Sequence, residues 1–184
     1  MRFFIKELVF FCIEKLFLKA SRQFARVLSG QKKLLVLKKL PCASVGNIEI
    51  GQNLLKKINL FGNVILDVKT ENPWRILPFS DEVEVGIDGF SWLNDLAIVN
   101  NETSRELSQN WIDTFPLDRL NMNVQSSCSR LVAIVRNFLY LEIGSDRDHL
   151  NKVNEILKND YLFLNFYKNF SFNIFERLSI SHSL

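Results

Sequence analysis

The chain has 184 residues, of which 47% are apolar and 23% charged, and its formal net charge is +3. That is enough for one domain with a real core, or for one domain with an appendage. Sixteen Phe stand against seven Gly and four Pro; so few turn formers exclude an all-β sandwich or barrel, which needs a turn every ~8–12 residues, and leave a mainly α fold class.

The charge divides the chain in two. Residues 1–40 carry ten Lys/Arg and two acids, a balance of +8, whereas residues 41–184 balance to −5. A basic segment of this kind meets something acidic: an anionic membrane surface, nucleic acid, or the acidic remainder of its own fold. Within it, Phe3–Leu18 has apolar residues on a broad helical face with Lys6, Glu7, Glu14 and Lys15 towards the other, and basic residues continue to Gly30. The segment reads as a basic amphipathic helix, able to lie on an anionic membrane or to dock on the domain. Its longest uncharged run, Leu8–Ile13, is too short for a spanning helix of about 20 residues and short for a signal peptide. The expected location is cytoplasmic, with peripheral attachment at the inner membrane left open.

Residues 41–184 read as a second region. After a strand or short helix over 31–41, Gly46–Lys57 has the pattern of a short helix. Apolar runs on either side of Phe61-Gly62-Asn63 predict a small β-hairpin across roughly 58–68, which must lean on helices. Residues 70–84 form a loop, because Pro73 and Pro78 break any helix. Helices are then expected over about 87–99, over 102–114 with Asn101 or Thr103 as cap, and over about 126–143 with Gly144 as terminator. A last helix starts near Ser145, capped by Ser145 or Asp148, and runs into an aromatic stretch from Tyr161 to Phe175. The final helices form successive helix–turn–helix units.

Few residues carry a chemical signature. No phosphate loop, nucleophile elbow or HExxH occurs. Cys12, Cys42 and Cys128 have no zinc spacing, and His149 and His182 are the two histidines; free thiols, no metal and no cofactor are expected. Asp146 and Asp148 sit at a helix start, where acids are structural. His149 is expected at the surface. Trp92 and Trp111 read as core, while Trp74, in its Pro-bounded loop, is the best candidate for an exposed platform that stacks on a sugar ring. Arg130 can pair either with a uronate carboxylate or with one of the protein's own acids.

Five stretches occur in a telling order: GNIEIGQNLLKKINLFGN at 46–63, NPW at 72–74, GFSWLNDL at 89–96, NWIDTF at 110–115 and SRLVAIVRNFLYL at 129–141. Across roughly 41–170 they resemble the N-terminal helical part of bacterial heparinase II/III-family proteins. The resemblance implies a partial (α/α) toroid-like helical domain with a small β-hairpin, and a family chemistry of β-elimination on acidic polysaccharides. That chemistry needs a general base, a group that neutralises the uronate, and a proton donor, which the family places largely beyond the matched region. The chain also departs from the pattern, with Ala133-Ile134 where Asn/Ala-Trp is expected and Asp88 where a His is common. No catalytic residue is carried over; Trp74 and Arg130 are the candidate substrate-binding positions. The implied protein is a truncated lyase-like chain, inactive alone, with acidic polysaccharide as partner and no nucleic acid. A non-catalytic module that binds an anionic glycan or a membrane surface is the competing expectation.

Overall fold

The computed structural model describes residues 46–56, 58–60, 64–66, 74, 86–114 and 123–168, and these are mainly helical. The expectations for residues 1–40, for the 31–41 segment, for the 70–84 loop apart from Trp74, and for the aromatic run beyond Lys168 lie outside them. Helix α1 is Ile48–Leu54. Strands β1 (Ile58–Leu60) and β2 (Val64–Leu66) pair antiparallel, Ile58 opposite Leu66 and Leu60 opposite Val64. Four helices follow in sequence order among the described residues: α2 (Leu93–Val99), α3 (Asn101–Thr114), α4 (Val124–Glu142) and α5 (Arg147–Tyr167).

Four of the five helices start on a polar residue that satisfies free backbone groups; α2, which starts after Trp92, has no side-chain cap. Asn47 caps α1, its side-chain oxygen accepting from the N–H groups of Glu49 and Ile50 at 2.9 and 3.2 Å. Its own N–H donates to Asp95 Oδ1 on α2 at 2.7 Å, so one carboxylate ties the two helices together. Asn100 serves two helices: its N–H closes α2 on the Leu96 carbonyl, and its side chain accepts from Thr103 N–H to open α3. The cap is therefore neither Asn101 nor Thr103, because Asn101 is already the first helical residue. Asn123 caps α4 and Gly144, at φ 76°, follows its end. Asp146, rather than Ser145 or Asp148, caps α5 by accepting from His149 N–H at 2.7 Å.

The helix expected over 87–99 is broken. Residues 86–88 make one helical turn, and α2 begins only at Leu93. Between them Phe90 has φ 53°, in the left-handed region, at a cost of order 1–3 kcal/mol for a non-glycine residue. The turn brings two rings inward together: Phe90 lies 5.1 Å from Trp92 and 4.8 Å from Trp111, the latter edge-on. Gly89 precedes the strained position and does not occupy it.

α2 lies at the centre, packed on α1, α3 and α4, while α4 packs on α5. The closest approach is at Gly51. A Cβ there would stand 2.2 Å from the Asp95 carbonyl oxygen and 2.6 Å from Val99 Cγ2. Because the obstacle is backbone, Gly51→Ala must push α1 off α2. A loss of about 1–3 kcal/mol is expected, read as a lower urea midpoint; an unchanged midpoint would mean that the helices do not meet here. No helix among the described residues is long and apolar enough to cross a membrane.

Candidate functional site

The buried polar centre of the molecule is Arg130. On α4 the inward positions include Ser127, Arg130, Leu131, Ile134, Asn137 and Leu141, spaced three or four apart. On α5 the corresponding row holds Val153, Ile156, Leu157, Asp160, Phe163 and Leu164. Each row contains one charged residue, and the two meet. Arg130 Nε and Nη2 donate to the two oxygens of Asp160 at 2.7 Å each, a fork in which both side chains are fully buried. Nη1 donates to the Asp88 carbonyl at 2.6 Å, which ties the fork to the turn ahead of α2. Trp111 covers the guanidinium, 5.3 Å from ring centroid to Cζ, and its Nε1 donates to Asp88 Oδ1 at 3.2 Å.

Burial works against the charge on Arg130, but the Asp160 carboxylate outweighs it and the guanidinium holds its proton more tightly than usual. Burial likewise raises the Asp160 carboxyl, with Arg130 opposing. The geometry decides its charge, since both oxygens accept from charged N–H groups and a protonated carboxyl could not accept as fully. Of the two pairings open to Arg130 in the sequence, the protein's own acid is the one formed.

Trp74 is corrected outright. It is fully buried, its Nε1 donates to the Leu107 carbonyl on α3 at 2.8 Å, and its ring sits 5.4 Å from Trp92. A tryptophan whose N–H is held by a helix carbonyl and whose face is covered by another indole presents no surface to a sugar. Trp92 and Trp111 are core, as their spacing implies. Neither Trp74 nor Arg130 can touch a polymer from where it lies.

His149 also departs from expectation. It is 4% exposed rather than at the surface, and it borders a cleft of about 470 Å³ between α3 and the start of α5, lined also by Arg105, Glu106, Gln109 and Asp146. Gln109 Nε2 donates to Asp113 Oδ1 at 2.8 Å, which leaves the Gln109 oxygen to accept from His149 Nδ1–H. The ring is thereby fixed as the Nδ1–H tautomer. Nε2 is enclosed and has no partner among the described residues. Burial first, then the charges of Arg105 and Lys152, hold the imidazole below its usual range against the pull of Asp146 and Asp113. The cleft beside it carries both signs of charge, Arg105 with the Glu106 and Asp146 carboxylates. A second groove, about 340 Å³, runs between Phe90, Ser91 and Asn94 and the Cys128–Arg136 face of α4.

Cys128 is buried and forms no disulfide, and no group of three His, Cys, Asp or Glu side chains among the described residues is arranged to hold a metal ion. Asp160 and Gln109 are not among the residues expected from the sequence. The signal for Asp160 was a lone acid inside an apolar helical row; for Gln109 it was the i, i+4 relation to Asp113. No family model, no curated protein and no solved structure matches the chain.

Proposed function

We propose that residues 41–184 form opening helices of a heparinase II/III-like (α/α) toroid, in a protein that handles an acidic polysaccharide, and that they serve as its frame without performing the elimination. The observation that carries this reading is where the resembling stretches meet. NPW contributes Trp74, GFSWLNDL contributes Phe90 and Trp92, NWIDTF contributes Trp111, and SRLVAIVRNFLYL contributes Arg130; these side chains all belong to one buried cluster. Residues that share a core explain why the stretches occur together and in order. They do not supply a base and a neutraliser in an open cleft, which β-elimination requires.

The test is structural and chemical. A crystal structure of the full chain should superpose α2 to α5 on consecutive helices at the start of a heparinase II/III toroid; a different path of those helices overturns the family reading. Incubation with alginate, heparin or hyaluronate should give no rise in the absorbance of unsaturated uronate. A product with any of them would show that the chain is itself a lyase.

A further inference from the structure

A polar relay joins helices α3 and α5 along one side. From α5, His149 Nδ1–H donates to the Gln109 oxygen on α3. Gln109 donates on to Asp113 Oδ1, which also accepts from Lys152 Nζ on α5 at 3.0 Å. One turn earlier, Arg105 Nη1 reaches from α3 to the Ile143 carbonyl at the end of α4. The direction of the relay is set by the Asp113 carboxylate, which can only accept; it turns the Gln109 oxygen towards His149 and so places the imidazole proton on Nδ1.

We propose that this relay is an acid-released clamp, which holds α3 against the start of α5 while His149 is neutral and lets go when His149 gains its second proton. The new proton goes to Nε2, which is enclosed without an acceptor among the described residues. The charge arrives between cations on both helices, Arg105 on α3 and Lys152 on α5. The anions facing it are Asp113 on α3 and Asp146 on α5, with Glu106 on the cleft wall. Asp113 is already engaged by Gln109 and Lys152, and Asp146 by the His149 backbone N–H. An imidazolium satisfies its second N–H by swinging out into the cleft, and that motion takes Nδ1 away from Gln109. The direction of the linkage follows: the folded-state affinity of His149 for a proton is depressed, so the clamp is intact above the ordinary histidine range and weakens as pH falls through it.

The test uses the full chain carrying His182→Gln, which leaves His149 as the single histidine. Ring resonances are followed by NMR from pH 8 to 5 (roughly the histidine range), beside amide exchange corrected for its intrinsic pH dependence. His149 should titrate below the ordinary value of about 6.5. Opening of residues 105–113 and 146–152 should grow by up to about tenfold per pH unit below it, while amides around Arg130 and Asp160 hold. Adding His149→Gln should remove the pH dependence of that local opening. Titration at or above the ordinary value, or local opening that is independent of pH, overturns the proposal; so does a pH dependence that survives His149→Gln. Should His149→Gln not fold, the titration and the placement of the opening in the parent chain decide alone.

Discussion

Arg130→Met is expected to lower the stability of the chain by about 3–5 kcal/mol, because it leaves the Asp160 carboxylate buried with no counter-charge. The full burial of both partners makes this pair costly to break from one side. Three separate elements lose a contact at once: Asp160 on α5, the Asp88 carbonyl ahead of α2, and the face of Trp111 on α3. Urea unfolding measures the loss, and a change under about 1 kcal/mol would mean that Asp160 is solvated or protonated in the folded chain.

Two companion substitutions separate charge from shape. Arg130→Lys keeps the charge but cannot form the fork and reach the Asp88 carbonyl together, so it should recover only part of the loss. Arg130→Met with Asp160→Leu removes both charges and replaces them with apolar volume. This double variant should be far more stable than either single one, and close to the parent, since a buried pair is often matched by a well-packed apolar pair. The pair then acts chiefly on which helices meet, because Arg130 has a single buried acid within its row's reach on α5.

Helix content was legible because apolar spacing of three and four is a strong, local signal: α3, α4 and α5 lie within a few residues of their expected positions. The terminator Gly144 was legible for the same reason, as a glycine past the last periodic residue. What the sequence hid was set by tertiary contact. Phe90 takes a backbone conformation that its own side chain disfavours, in a turn closed by hydrogen bonds to Ile87 and Leu93 and packed by the rings of Trp92 and Trp111. Trp74 sits in a stretch that reads as loop, yet a carbonyl 33 residues away holds its indole. His149 follows two acids, which suggested solvent; Gln109, 40 residues earlier, draws it inward. Pairing across such separations leaves no periodic trace. A lone charge in an apolar row does leave one, in Asp160 as in Arg130, but it does not say which two such charges meet.

Trp111→Ala is the second substitution with a large expected effect, about 3–5 kcal/mol, the range for deleting a fully buried aromatic side chain. Its size would come from three sources: the void, the lost edge-on contact with Phe90, and the uncovering of the Arg130 guanidinium. Because Trp111 and Arg130 touch, the losses of Trp111→Ala and Arg130→Met should not add, and the double variant should cost less than their sum. Phe substitutions then isolate the indole N–H. Trp111→Phe removes a donor that serves the buried Asp88 carboxylate, leaving that acceptor short at about 1–3 kcal/mol. Trp92→Phe removes a donor that is buried with no acceptor among the described residues. The two tryptophans are almost equally buried, 0% and 2% exposed, so the volume lost is similar and the difference between the two variants reports the hydrogen bond. Trp111→Phe should be the more destabilised by urea. Equal losses would show that Asp88 finds another donor, and that packing alone fixes the turn ahead of α2.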